Sequence, residues 1–290
     1  MANLRLIKRR IKSAQNISQI TRAMQMVAAS KMKKAQGLAV SGRPYAEKIA
    51  EMVTKFVARI DPEQHPLLKE NTNGKDLVIL ITTNKGLCGG LNTNLLRSLQ
   101  KWFKETELAS FQYVTLGKRG ETYLVRGKRA LLADFSEKIP FSQNIPALTT
   151  LITDGYIKGE FKRVEIVYNN FLSALRQEPT HKQLLPIKGL FIPAGQTVEK
   201  PEITPLEFLV EPDVESILDP LLFHYLENQV RDAVLQAEAS EHSARMMAMK
   251  NATDNAREFI ELLTLEYYRA RQEKITYEIS DMVTARLAVS

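Results

Sequence analysis

The residues best placed to do chemistry sit in one short turn, Asn84-Lys85-Gly86-Leu87-Cys88-Gly89-Gly90, between the apolar run Leu77 to Ile81 and a helical pattern beginning at Thr93. Strand, glycines and helix in that order make the setting in which backbone N–H groups cradle a phosphate. The spacing of Gly86, Gly89 and Gly90 matches neither G-x-G-x-x-G nor G-x-x-x-x-G-K-[ST], so the residues favour a tight turn needing positive φ over a nucleotide site. Cys88 has no base beside it in sequence and reads as a small hydrophobe. His65, His181, His224 and His242 lack metal-ligand spacing, and neither H-E-x-x-H nor C-x-x-C occurs. Glu238 and Glu241 fall on a helical stretch rich in opposite charges, where a solvated surface is expected. No catalytic residue, cofactor or metal is implied, and the chain does not read as an enzyme.

The elements around that turn form a strand–helix alternation. Strands are expected at Asp76 to Thr83, Phe111 to Leu116, Arg163 to Tyr168, Leu184 to Ile192 and Leu206 to Val210, with helices at Thr93 to Glu107 and Ile145 to Tyr156, and a helix or turn at Gly117 to Val125. This predicts a central α/β (Rossmann-like) domain over residues 75–210.

The two ends of the chain are different. Leu221 to Ser290 contains no Gly and no Pro, so nothing in it breaks a helix, and at 1.5 Å per residue it would make a rod of roughly 105 Å. A helix that long needs a partner. Met1 to Gln36 also lacks Gly and Pro, and Leu4, Ile7, Ile11, Ala14, Ile17, Ile20, Met24 and Val27 recur by threes and fours. The expectation is an antiparallel coiled coil of an N-terminal helix over residues 1–60 and a C-terminal helix over 212–290. Ala14, Ile17 and Ile20 use two threes in succession, which predicts a local stammer in that coil. Pro44 predicts either a kink or the start of a second helix.

With 290 residues and 44% hydrophobic content, the chain can bury a sizeable core. No apolar run approaches the roughly 18 residues that would cross a bilayer. A single Cys rules out an internal disulfide. Net charge is +7, unevenly spread: no Asp or Glu occurs before Glu47, while Arg5, Lys8, Arg9, Arg10, Lys12, Arg22, Lys31, Lys33, Lys34 and Arg43 are unopposed in sequence. This implies an acidic partner, or charge that offsets the more acidic last helix across the coil.

Ile17-Ser18-Gln19-Ile20-Thr21-Arg22-Ala23-Met24-Gln25-Met26-Val27-Ala28-Ala29-Ser30-Lys31-Met32 resembles the opening helix of the γ subunit of F-type ATP synthases. Ala239 to Ala256 resembles the closing helix of that family, and Gly86-Leu87-Cys88-Gly89-Gly90-Leu91-Asn92 is similar to its glycine turn. The resemblance implies a non-catalytic central rotor shaft of the bacterial type, its coil inside a ring of α and β subunits. Its foot would meet the ε subunit and the c-ring at the cytoplasmic face of the plasma (inner) membrane, peripheral to the bilayer. It further implies that Met24 faces an acidic β-subunit loop, with Lys8, Arg9 and Lys31 as further contacts. Arg271 and Gln272 would form a hydrogen-bonding catch on a β-subunit loop, and Glu211 a c-ring contact. Two other classes compete on the residues alone. A basic coiled coil that binds nucleic acid leaves the α/β head unexplained and lacks aromatic residues for base stacking. A nucleotide-dependent enzyme would have to use the glycine turn.

Overall fold

The computed structural model describes residues 4–57, 65–137, 140–187 and 214–289. The chain divides into two compact units, one made of Met1–Ser30 with Arg245–Ser290, the other of Lys31–Ala244. The division falls within both long helices, α1 (Leu4–Val57) and α6 (Val214–Val289).

In the second unit, β1 (Lys75–Ile81), β2 (Gln112–Leu116), β3 (Ala130–Asp134), β4 (Phe161–Phe171) and β5 (Gln177–Leu185) form one sheet in the order β3-β2-β1-β4-β5. The first four are parallel, and β5 returns antiparallel to β4 with Val167 opposite His181. β1 is the central strand, and Leu77, Val78, Ile79, Leu80 and Ile81 are all buried, so both faces of the sheet are covered and the run is continuously apolar. On one face α2 (Leu91–Trp102), α3 (Glu105–Ser110) and α4 (Lys118–Arg126) bury Leu95, Leu99, Leu108 and Leu124 against Val78 and Leu80. On the other, α5 (Ile145–Ile157), the later part of α1 and the earlier part of α6 bury Leu148, Ile152, Val53, Leu222 and Val234 against Leu77 and Ile79. Gly155 permits the closest of these contacts, since a Cβ there would lie 2.2 Å from the Phe161 ring. His65 clips the turn before β1 to α6: its Nδ1 accepts from the Leu67 N–H at 3.1 Å, so Nε2 carries the proton donated to Asp219 at 2.6 Å.

Several expected elements shift. The helix expected from Thr93 to Glu107 is two helices, α2 and α3, separated at Phe103 by extended backbone (φ −123°, ψ 140°). The strand placed at Leu184 to Ile192 is instead β5, ending at Leu185. Residues 188–192, together with the strand expected at Leu206 to Val210, lie outside the described residues. β3 was not anticipated. Pro44 lies inside α1, which continues through it as one helix to Val57.

In the first unit, α1 and α6 pair as a coil. The Thr21 and Thr253 hydroxyls meet at 2.7 Å, both buried. From that point a seam of buried and half-buried residues runs along α1 through Leu4, Ile7, Ile11, Ala14, Ser18, Thr21, Gln25 and Ala28, and along α6 through Met249, Thr253, Ala256, Ile260, Leu263, Tyr267 and Ala270. Threes and fours alternate on both helices, the 3.5-residue period of a left-handed coil. The expected stammer is absent. Ile17, Ile20 and Val27 are 51%, 59% and 57% exposed, and the seam runs one residue later through Ser18, Thr21 and Ala28. Leu4, Ile7, Ile11 and Ala14 lie in the seam as expected; farther along, small and polar side chains fill it and three of the apolar residues that periodicity puts there, Ile17, Ile20 and Val27, face outward.

Candidate functional site

The glycine turn after β1 is built to satisfy itself. Leu87 at φ 62° and Gly89 at φ 59° both take left-handed backbone, and Gly89 is the position where a side chain would be strained. Asn92, in the first turn of α2, ties the turn together. Its Oδ1 accepts the Thr83 N–H at 3.3 Å, and its Nδ2 donates to Thr83 Oγ1 at 2.8 Å and to Cys88 Sγ at 3.5 Å. Thr83 Oγ1 donates in turn to Lys85 O at 2.8 Å. Cys88 is buried, as expected of a small hydrophobe.

In an open sheet whose strand order reverses, ligands bind in the crevice at the carboxyl ends of the strands on either side of the reversal. Here that crevice is filled. Ala237, Glu238 and Glu241 of α6 cover Ile81, Thr82, Thr83 and Asn169, leaving a cavity of about 10 Å³. A nucleotide has no room. Glu238 is therefore no solvated surface residue: Oε1 accepts the Phe141 N–H at 2.9 Å, and burial pushes its carboxyl above the ordinary carboxylate range. Among the described residues no three His, Cys, Asp or Glu side chains gather as a metal site, and no helix is long and apolar enough to cross a membrane.

The coil presents the opposite chemistry. Lys8, Arg9, Arg10, Lys12 and Arg22 are exposed and make no ion pair within the chain, so this stretch of charge is not offset across the seam. The ion pairs Arg257–Asp254 at 3.8 Å and Lys274–Glu278 at 3.5 Å both lie within α6. Ile17, Ile20 and Val27 form an outward stripe with half-buried Met24 between them, and Phe259, Leu262, Leu265 and Tyr268 are more than half exposed on α6. Arg271 and Gln272 follow Ala270, the last buried seam residue, and every side chain from Arg271 to Leu287 is exposed. Lys31 is exposed and belongs to the other unit. Glu211 lies outside the described residues.

A model of the family described as ATP synthase matches residues 3–289. The ATP synthase gamma chain of Opitutus terrae is 43% identical over 300 residues, covering 100% of both chains. The chain belongs to the ATP synthase gamma chain family. Solved structures agree with that membership. A chain in the central stalk and c-ring structure of Tetrahymena thermophila mitochondrial ATP synthase is 26% identical with a TM-score of 0.55, over 80% of this chain and 99% of that one. A chain in the OSCP, F1 and c-ring structure of the Euglena gracilis mitochondrial ATP synthase, in rotational state 3, shares the fold at a TM-score of 0.69 and 21% identity. It covers 99% of this chain and 94% of its own. The long paired termini and the central α/β domain are thus the fold of gamma chains.

Proposed function

We propose that this gamma chain is the central rotor shaft of an F-type ATP synthase, coupling ion translocation through the membrane sector to ATP synthesis or hydrolysis at a ring of α and β subunits by rotation. The observation that supports the reading is the outward face of the coil, where Ile17, Ile20, Val27, Phe259 and Leu262 are exposed beside exposed basic residues, in a chain that matches gamma chains from end to end. The subunit is not an enzyme; α6 occupies the crevice where an α/β domain would hold its ligand.

A shaft works by differential contact: each angle must favour one conformation of the facing subunit over another, which a symmetric rod cannot do. The two helices supply that asymmetry, since α1 carries the unopposed cations and α6 mixes both signs. Exposed ion pairs contribute at most about 1 kcal/mol each, so contacts through Lys8 and Arg9 exchange without a deep trap. Met24, in the outward stripe, meets an acidic loop of the β subunit, with Lys31 as a further contact. Arg271 and Gln272, on the unpaired part of α6, form a hydrogen-bonding catch to β. Glu211 contacts the c-ring, and the ε subunit binds the α/β domain. Association with the cytoplasmic face of the bacterial plasma membrane is peripheral and runs through the complex.

Purification of the complex tests the reading, with one copy of this chain expected per three each of two larger nucleotide-binding subunits. Replacing Arg271 and Gln272 together by Ala should impair ATP-driven rotation while leaving the α/β domain folded. Unchanged coupling in that variant would remove the catch from the mechanism.

A further inference from the structure

Among the described residues, the one buried side-chain polar atom without a hydrogen-bond partner is Glu165 Oε2 on β4. Leaving such an oxygen unpaired is unfavourable. It faces His181 Nδ1 of β5 at 3.6 Å, within ion-pair reach and just too far for a hydrogen bond. His181 is itself gripped by aromatic rings where α2 ends. Its ring stacks on Trp102, the last residue of α2, with centroids 4.6 Å apart and planes 15° from parallel, and meets Phe103 edge-on at 5.7 Å. Phe103 in turn packs edge-on against Phe111 at 5.2 Å. One imidazole thus joins the edge strand β5 to the joint between α2 and α3. Its side chain is 44% exposed, open to protons from solvent, and the carboxylate behind it is 13% exposed.

We propose that His181 and Glu165 form a proton-operated clasp: an imidazolium at His181 draws Glu165 Oε2 into the hydrogen bond it otherwise lacks and fastens β5 to the end of α2, and loss of the proton slackens that join. The proton comes from solvent, and Glu165 stays a carboxylate throughout. A neutral imidazole carries a hydrogen on one nitrogen only, whereas the imidazolium carries one on each and adds a charge. That charge strengthens the bond to the carboxylate, is attracted to the indole face of Trp102, and suits the carbonyl end of α2. Arg163 on β4 is the cation that competes for Glu165, but Asp76 of β1 holds it at 2.7 Å, and Glu107 of α3 also acts on it. Lys101 and Lys104, flanking the two aromatic residues in sequence, are exposed, and Gln183, opposite Glu165 on β5, is uncharged. The clasp is closed at low pH and opens as the imidazole gives up its proton, in the range between pH 5 and 8 where histidine changes charge.

Trp102 is the only tryptophan in the chain, so its fluorescence reads this site alone. In the full chain its emission should rise from about pH 5 to about pH 7.5, because a stacked imidazolium quenches indole. A flat signal would overturn the proposal without any variant. Hydrogen exchange, corrected for intrinsic rates, should show protection of the β5 amides falling by about two- to fivefold over the same range, the worth of a partly exposed ion pair, and beyond the change in β2. His181→Phe keeps a stacked ring without the proton and should abolish both responses; survival of either would assign the titration to another group and overturn the clasp. Glu165→Gln should move the fluorescence midpoint to lower pH and remove most of the exchange response. Identical curves in wild type and Glu165→Gln would reduce His181 to a stacked ring and overturn it too. Zinc chloride at about pH 7.5 should leave β5 protection unchanged; low-pH protection restored by zinc in the wild type but not in His181→Phe would replace the proton with a metal ion.

Discussion

The α/β domain and the coil use apolar side chains in opposite ways. In the domain the largest apolar residues are the most buried, with Leu77, Ile79, Leu95, Leu99 and Val164 at 0% exposure, and stability comes from area removed from water. In the coil the seam mixes Ile7, Ile11, Met249 and Leu263 with the small and polar Ala14, Ser18, Thr21, Ala28 and Thr253, while Ile17, Ile20, Val27, Phe259 and Leu262 remain wet. One region is finished by its own chain. The other leaves hydrophobic surface exposed, which is the surface that the proposed shaft would offer to a neighbour.

The largest expected effect lies in the domain. Ile79→Ala removes a fully buried side chain from the central strand and should cost about 2–5 kcal/mol in urea unfolding. If that loss fell below the loss from Ile17→Ala, the contrast between the regions would collapse. Lys182 on β5 is next. Burial pushes its ammonium down to about 8, against the favourable charge of Asp232, and it donates to Gln229. The unfolded chain therefore binds the extra proton between about pH 8 and its ordinary 10.5, and stability should rise with pH across that window. Lys182→Met should stabilise the domain at pH 7 by about 1–3 kcal/mol and flatten that slope, which denaturant titrations at several pH values would show.

Within the coil the expected effects are smaller. Thr21→Val or Thr253→Val should cost up to about 1 kcal/mol, and the double variant less than the sum, because removing both hydroxyls leaves none unpaired across the seam. A cycle of thermal melts on the four proteins measures that coupling. Smallest of all, Ile17→Ser with Ile20→Ser should change the stability of the free chain by no more than about 0.5 kcal/mol. The same variant should weaken association with α and β subunits, and the comparison sharpens if the two readouts separate.

These contrasts also explain what the residues disclosed before any coordinates. β1 was legible because a strand covered on both faces is apolar throughout, and the terminal helices because nothing in Leu221 to Ser290 breaks them. The seam follows the apolar periodicity through Leu4, Ile7, Ile11 and Ala14 and departs from it by one residue after that. Periodicity counts apolar side chains, and in this coil the apolar ones at 17, 20 and 27 point to solvent while Ser18, Thr21 and Ala28 are inside. β3 escaped notice because it is a short edge strand whose Ala130, Leu132 and Asp134 are exposed, and β5 because Gln177 to Thr180 carry little apolar content. Glu238 reads as solvated surface because its helix is charged, and only the fold brings Phe141 and Asn169 to it.

The lone end of α6 has a consequence of its own. The 19 residues from Arg271 to Val289 would extend roughly 28 Å with no second helix beside them. The stretch continues a helix already nucleated in the coil, so it holds by propagation alone, with its side chains from Arg271 to Leu287 exposed. On the proposed reading the surrounding subunits would sheathe this tip and add to the stiffness with which it bears load, so that the bearing helps to build the axle that turns in it.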